Sequence, residues 1–391
     1  MLPDSPSRDY LRRQAKDLLI GLRETRASAS LADAQAALAG KYGFRTWPEL
    51  KAEVDRRRGR ANIADTALAE TIAKRFGLGA VTAPMRSLAH ANEVGRPWAL
   101  DTDAGRWAVK QLNDWFGIDN AETDVRLQEA AAQVGILLPQ AVRSVSGAIV
   151  ESIEGHNWRV NVWIESGPPL VAPVGAPIAA KAGSILARLH GLALPPEWPI
   201  GSWHTPLQTG DEWAALADRA SAHGMTWASE LRRALPNVVD LCGMTADVEP
   251  PAAILCHCAL APSNVRVARD GHLALLGWEH AGAMPPSWEL ANVLEVWTVG
   301  PFGDPPNVAA ERALLDAYRG EAGHLPTLDI SSFAASVSGW LNHVYGQICV
   351  ALSTTDTEGR SFMDRNVSHL LAHAPRRAVY ERVLETALAP T

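Results

Sequence analysis

The stretch Cys256-His257-Cys258-Ala259-Leu260-Ala261-Pro262-Ser263-Asn264 places a histidine and an asparagine on a short segment that carries no carboxylate. Slightly downstream, Leu276-Gly277-Trp278-Glu279-His280-Ala281-Gly282 holds a single acid, Glu279. The two cysteines beside His257 invite a zinc interpretation. A structural zinc site needs four ligands, however, and no second cysteine pair lies at zinc-ligand spacing. Buried cysteines on a strand that leads into a loop are the better interpretation.

Both segments resemble motifs of the aminoglycoside phosphotransferase and choline kinase superfamily, whose fold is that of protein kinases. In these enzymes the loop reads His-x-Asp-Leu-x-Pro-x-Asn, and the later segment reads Ile-Asp-Trp-Glu-x-Ala-Gly. Ala259 stands where the family has the acid that takes the acceptor's proton, and Gly277 replaces the magnesium-binding acid. The resemblance therefore implies a degenerate member. Four loop positions keep the family's residues: His257, Leu260, Pro262 and Asn264.

The resemblance extends over residues 64–389 and implies a nucleotide site for ATP. Lys110, in Trp107-Ala108-Val109-Lys110, matches the strand lysine that binds the nucleotide phosphates. Glu129 matches the helix glutamate that pairs with this lysine. Glu165 falls at the junction of the two lobes, where the backbone meets the adenine. Asn264 matches the metal-binding amide of the catalytic loop.

Magnesium is disfavoured because Asn264 is the only matching ligand, and its neutral oxygen does not replace a carboxylate. Glu279 lies two residues beyond Gly277, so on an extended segment it would point to the same side and could reach a metal. Many active relatives already carry an acid at this position beside the metal-binding Asp, so Glu279 is no sign of compensation. Cys258 as a nucleophile has no visible activating partner except His257.

A general base is worth about 10²- to 10⁴-fold in rate, so its loss predicts a pseudokinase. This protein would bind a nucleotide, a small molecule, or a protein or peptide in the cleft between the lobes. The main alternative is an active phosphotransferase that acts on a small-molecule or peptide hydroxyl and uses Glu279 and Asn264 for the metal. Two further alternatives are a scaffold that docks a partner on its amino-terminal helices and a protein that sequesters an antibiotic.

The composition excludes several other classes. The 391 residues carry a net charge of −7 without a long basic block, which argues against nucleic acid as the main partner. No apolar run approaches the roughly 18 residues of a membrane span. Four scattered cysteines and a polar start without a secretory signal predict a cytoplasmic protein.

Residues 1–60 are predicted to form a helical extension. Apolar spacing indicates helices over 9–23 and 31–42, the second capped by Ser30, and a third helix from Trp47. The stretch 31–51 resembles a helical leader often found before ankyrin repeats or other domains in bacteria. The run 55–60 is predicted to be a solvated linker.

The remainder predicts an α+β, bilobal fold, with an amino-terminal lobe over 64–166 and a mainly helical lobe over 167–389. Two hairpins are expected, 96–101 with 106–112 and 146–153 with 158–164, the second joined by residues 154–157. A short helical stretch near 64–76 precedes them, a helix over 124–134 separates them, and residues 337–352 resemble a long carboxyl-terminal helix.

Other polar and aromatic residues have less specific interpretations. The phosphate-covering loop is expected near 88–97 with Gly95, and His190 is expected to be structural. Some of the fourteen tryptophans are candidates to line an acceptor site, since aromatic walls suit cationic or apolar molecules. Three scattered carboxylates are predicted to lie mainly on the solvated surface: Asp240, Glu289 and Asp316.

Overall fold

The structure is a computed structural model that describes residues 8–26, 28–42, 44, 46–47, 50–51, 54, 63–88, 95–113, 121–299, 306–355 and 357–389. The chain divides into two compact units, Met1–Phe116 with Ala141–Trp163, and Gly117–Gln140 with Ile164–Thr391. Helices and antiparallel strands together confirm the α+β class, and amino-terminal helices are present as predicted.

The amino-terminal helices α1 (Arg8–Thr25) and α2 (Leu31–Lys41) have a small core of their own. Ser30 caps α2 as predicted: its hydroxyl accepts from the Asp33 N–H at 3.2 Å, and its own N–H donates to the Asp33 carboxylate at 2.8 Å. The predicted third helix lies partly, and the predicted linker 55–60 wholly, outside the described residues. The buried residues of this core include Leu11, Ala15 and Leu38.

The first unit also contains helix α3 (Thr66–Phe76) and an antiparallel sheet. Its strands are β1 (Arg86–Ser87), β2 (Gly95–Thr102), β3 (Gly105–Leu112), β4 (Ala141–Val142), β5 (Val150–Ile153) and β6 (His156–Val162). Their order in the sheet is β1-β2-β3-β6-β4, with β5 paired to β6. Apolar side chains of α3, such as Ile72 and Phe76, join Trp98, Val109 and Trp158 of the sheet in one core.

Both predicted hairpins are present, but the second has a tighter turn than expected. Glu154 and Gly155 have φ values of 53° and 77°, the left-handed pair of a two-residue type I′ turn. Strand pairing therefore resumes at His156, opposite Ile153, and the prediction of a connection over 154–157 is wrong.

The second unit is mainly helical and contains two small sheets. Its strands are β7 (Ser166–Pro169), β8 (Ile254–Cys256), β9 (Val265–Ala268), β10 (Leu273–Leu275) and β11 (Gly282–Met284). They pair in the orders β10-β9-β7 and β11-β8. Its helices are α4 (Ala121–Gln133), α5 (Ala176–Gly191), α6 (Gly210–Ala222), α7 (Ala228–Thr245), α8 (Pro286–Thr298), α9 (Val308–Ala322), α10 (Ala334–Ser353), α11 (Thr357–Ala372) and α12 (Arg377–Leu388).

Helix α4 differs from the predicted division of the chain, which placed it with the first sheet. Its buried residues Leu127 and Ala131 belong to the large core of the second unit, because their neighbours there are the apolar faces of that unit's helices. Helix α10 includes the predicted long helix over 337–352. Within the described part of the chain, no helix has both the length and the apolar character needed to cross a bilayer.

Candidate functional site

The 256–264 loop lies between β8 and β9 and ends in a 3₁₀ turn, Pro262–Asn264. Its backbone is fixed at both ends of that turn. The Asn264 N–H donates to the Ala261 carbonyl at 2.9 Å, and the Asn264 carbonyl accepts from the Leu276 N–H at 2.8 Å. The loop and the 276–282 segment are therefore direct neighbours, as two parts of one site should be.

Cys258 has an unusual backbone conformation for a residue with a side chain, with φ at +59°. Left-handed backbone costs roughly 1–2 kcal/mol in such a residue. The Cys258 N–H donates to Oε1 of Glu289 at 2.6 Å, a charge-assisted bond that offsets this cost. Burial raises the pKa of the Cys258 thiol well above its ordinary value, so the thiol is a poor nucleophile.

Glu289 connects the loop to two helices through a buried chain of hydrogen bonds. Its Oε2 lies 2.9 Å from Nε2 of His190, and Nδ1 of His190 lies 2.8 Å from the Tyr318 hydroxyl. Glu289 is fully buried, so the prediction of a solvated carboxylate is wrong for this residue. Burial acts to raise the pKa of Glu289, but its hydrogen bond with His190 and the weaker favourable interactions around it together outweigh burial, so the pKa is lowered.

Asp240 and Asp316, predicted with Glu289 to be surface carboxylates, do lie at the surface. Asp240 is 3.8 Å from Arg377 and Asp316 is 3.0 Å from Arg319, both as exposed ion pairs. His190 is buried and uses both ring nitrogens within the network. Its surroundings agree with the structural role that the sequence predicted.

Ala259, which the sequence resemblance aligns with the family's catalytic acid, forms two hydrogen bonds through its backbone. The Ala259 N–H donates to Nδ1 of His257 at 3.2 Å, and its carbonyl accepts from the Asn264 side-chain amide at 3.0 Å. His257 is fully buried, with its ring edge-on to Trp278 at 4.7 Å. Burial lowers the pKa of His257 to about 4, so its imidazole is neutral and supports the loop.

Gly277 has a close approach to Asn264 that a side chain would disrupt. Its φ is +84°, and a Cβ built there would lie 2.8 Å from Nδ2 and 2.9 Å from Cγ of Asn264. A side chain at position 277 would therefore crowd the Asn264 amide and force one of the two to shift.

These residues do not fit a magnesium ion, because the oxygen of Asn264 is neutral and the site has no acid at 259 or 277. The extended segment expected beyond Gly277 is also not observed: Trp278–His280 forms a 3₁₀ turn with Glu279 buried. The argument that Glu279 points toward a metal because of alternating strand geometry is therefore wrong.

Among the described residues, one group of three has the chemistry and spacing of metal ligands: His190, Cys256 and Glu289. Their ligand atoms lie within 4.8 Å of one another. Cys256 already donates to the Met284 carbonyl at 3.3 Å, and burial raises the pKa of its thiol. The group is part of the buried network beneath the loop.

The residues predicted to contact the nucleotide lie in both units. Lys110 is half-buried on β3, paired with Pro97 and Arg159 of the neighbouring strands. Glu165 is exposed and lies 3.5 Å from Arg269. Their roles at a nucleotide remain predictions.

Glu129 is exposed on α4, whereas the buried acid of that helix is Asp124. Oδ1 of Asp124 accepts from the Gln128 amide at 2.9 Å. Sequence reasoning missed Asp124. This residue shares a helical face with the apolar residues Leu127 and Ala131, whereas Glu129 does not.

The predicted phosphate-covering loop falls mostly outside the described residues, which exclude 89–94. Gly95 begins β2, and a side chain there would collide with the Gln111 carbonyl on β3. This glycine is therefore required by strand pairing.

Two histidines, His257 and His204, should each contribute a loss of stability on acidification, against the opposite contribution of Glu295 and Glu311, whose pKa burial raises to about 7 and about 8. The folded-state pKa of His257 is about 4 and its ordinary value is 6.5, so the unfolded chain takes up a proton first as the pH falls. Above pH 6.5 the stabilising contribution of neutral His257 is fully present. Between pH 6.5 and pH 4 this contribution to the free energy of unfolding falls by about 3 kcal/mol. His204, whose pKa burial also lowers to about 4, acts in the same direction.

Urea unfolding at pH 7.5 and pH 4.5 measures the change in stability, and the difference between variants isolates the contribution of His257. His257→Asn keeps an acceptor for the Ala259 N–H, and its stability should fall less, or rise more, on acidification than that of the parent. His223→Asn, at an exposed histidine, should follow the parent. Equal pH dependence in all three proteins would contradict the assignment.

Comparison with known proteins supports the architecture. The family model described as "Phosphotransferase enzyme family" matches residues 88–324, more than half of the chain. No curated protein matches the chain in sequence.

Solved structures with the same fold have little sequence in common with this chain. The spectinomycin phosphotransferase APH(9)-Ia, in complex with ADP and spectinomycin, is 12% identical, covers 83% of this chain and 98% of its own, and has a TM-score of 0.55. The amicoumacin kinase hAmiN, in complex with AMP-PNP, Ca²⁺ and Ami, is 14% identical, covers 82% of this chain and 96% of its own, and has a TM-score of 0.51. The choline kinase LicA from Streptococcus pneumoniae is 15% identical, covers 78% of this chain and 99% of its own, and has a TM-score of 0.50.

At such identities the structural similarity establishes the fold and nothing finer. Together with the family match over residues 88–324, it shows that this chain belongs to the phosphotransferase enzyme family.

Proposed function

We propose that this protein is a non-catalytic member of the family that binds a nucleotide, a small molecule or a peptide. The observation that carries the proposal is that position 277 has no carboxylate and has a backbone at which any side chain would crowd the Asn264 amide. Ala259 in turn supplies no base. Phosphoryl transfer depends on charge neutralisation by a metal and on orientation of the acceptor, and the two segments lack the family's residue for each task.

Nucleotide binding is the part of the proposal that Lys110 supports. A lysine is a compact cation with three donors, and it binds phosphates without needing a metal. The complexes of APH(9)-Ia with ADP and of hAmiN with AMP-PNP are consistent with a nucleotide ligand in this fold. Binding by this chain should therefore persist, at reduced affinity, when magnesium is removed.

Calorimetric titration with ATP, with magnesium and then with EDTA, tests this expectation. Affinity should change less than about threefold on metal removal and fall at least tenfold in Lys110→Ala, since a lost charged hydrogen bond is worth about 1.5–3 kcal/mol. Lys181→Ala, at an exposed lysine of the second unit, is the matched control.

Magnesium-dependent ATP consumption with any hydroxyl acceptor would contradict the proposal. It would favour the active phosphotransferase alternative, which relies on Glu279 and Asn264. Absence of nucleotide binding would instead restrict the protein to its small-molecule or peptide role.

A further inference from the structure

A small cavity in the second unit opens beside the degenerate loop. Its volume is about 240 Å³, and Cys258 of the loop forms part of its wall. Helix α10 contributes the opposite wall, through Ala335, Ser336 and Gly339. We refer to it as the Trp203 cavity, because the indole of Trp203, from the 3₁₀ turn Ser202–His204, is its largest aromatic surface.

Trp203 is held in place although 48% of it is exposed. The buried Asn342 amide donates to three carbonyls of this turn: Ser202 at 3.2 Å, Trp203 at 3.0 Å and Thr205 at 2.9 Å. One side-chain amide therefore fixes the backbone on both sides of the tryptophan.

Two further contacts from α10 fix the ring of Trp203. A Cβ at Gly339 would lie only 3.2 Å from the indole nitrogen, so this glycine leaves room for the ring. The His343 ring meets the indole edge-on at 6.0 Å. An aromatic surface that is exposed and already ordered loses little entropy when it binds a ligand.

The cavity offers hydrogen bonds but no charged side chain among the described residues that line it. Burial and the nearby His280 lower the pKa of His204 to about 4, and burial raises the pKa of Cys258, so both are neutral near pH 7. The Ser336 hydroxyl donates to Oδ1 of Asn292 at 2.9 Å, which leaves the Asn292 amide nitrogen to donate to a ligand. The carboxylate of Glu289 is fully buried and accepts the Cys258 N–H.

Size and charge together restrict the ligand. Cavities for drug-sized ligands measure roughly 300–1,000 Å³, so about 240 Å³ suits a single or fused ring. Among the described residues that line the cavity there is no carboxylate, so a cation would enter without a direct ion-pair partner, and desolvating an unpaired charge is costly. We infer that the Trp203 cavity binds a compact, neutral aromatic molecule that stacks on Trp203 and accepts a hydrogen bond from Asn292. This inference rests on the proposed binding role of the protein.

Benzyl alcohol, benzylammonium and benzoate test the inference, because they share a ring and a size and differ in charge. Saturation-transfer NMR and chemical-shift titration of the nucleotide-free protein should give millimolar binding of benzyl alcohol and at least tenfold weaker binding of both ions. Trp203→Ala should abolish the benzyl alcohol signal, and Trp203→Phe should retain it in part. Trp198→Ala is the control, since Trp198 is 59% exposed and does not line the cavity.

Equal or stronger binding of benzylammonium, unchanged binding in Trp203→Ala, or no binding of benzyl alcohol would each overturn the inference. The ATP titration separates these outcomes from the proposed function. Lys110-dependent ATP binding without benzyl alcohol binding would leave the proposed function standing and remove this inference. ATP turnover together with Trp203-dependent binding of benzyl alcohol would remove the proposed function and leave this inference standing.

Discussion

Glu289→Ala is expected to lower the free energy of unfolding by about 3–5 kcal/mol, the largest effect of any single substitution at the site. The change leaves two donors without an acceptor, the part-buried Cys258 N–H and the buried ring N–H of His190. It also removes the bond that offsets the left-handed backbone of Cys258. Urea unfolding followed by far-ultraviolet circular dichroism measures the loss.

Glu289→Gln should cost less, because an amide oxygen can still accept the Cys258 N–H. Glu165→Ala removes an exposed carboxylate beside Arg269 and should change stability by no more than about 0.5 kcal/mol. A loss below about 1 kcal/mol in Glu289→Ala would mean that the network does not support the loop.

Gly277→Ala should destabilise the protein by about 2–4 kcal/mol, combining left-handed strain with overpacking against Asn264. Gly271→Ala separates the two contributions. Gly271 has a similar φ of +81° with open space around its Cβ position, so it carries the strain alone, about 1–2 kcal/mol.

The contact with Asn264 can be measured by a double-mutant cycle. In an Asn264→Ala background, Gly277→Ala should cost at least about 1 kcal/mol less than in the parent, because the amide in its path is gone. Additive effects of the two substitutions would show that Asn264 does not fill the space beside Gly277.

The sequence predicted the fold well because its strongest signals are local. Ser30 as a cap, the turn near Gly105 and the apolar period of the amino-terminal helices each depend on residues close in the chain, and each is present. The loop motif supplied the rest, since His257 and Asn264 keep family positions that fix a long-range arrangement.

Other features of the site depend on contacts between residues far apart in the chain. Glu289 has no local feature that marks it as the acceptor for Cys258, which lies 31 residues earlier. Its position in the apolar run Trp288-Glu289-Leu290-Ala291 is the one available hint of burial. The turn Trp278–His280 was also missed, because a glycine with positive φ changes the direction of the chain and so invalidates the two-residue alternation expected for Glu279.

Under the proposed non-catalytic role, the close approach of Asn264 to Gly277 would make phosphoryl transfer difficult to regain in evolution. An acid introduced at 259 alone would have a base position but no carboxylate to bind a metal. An acid introduced at 277 alone would crowd the Asn264 amide on a backbone with φ at +84°, which L residues rarely adopt. Under this role neither first step would offer activity and the second would lower stability, so phosphoryl transfer would require several coordinated substitutions.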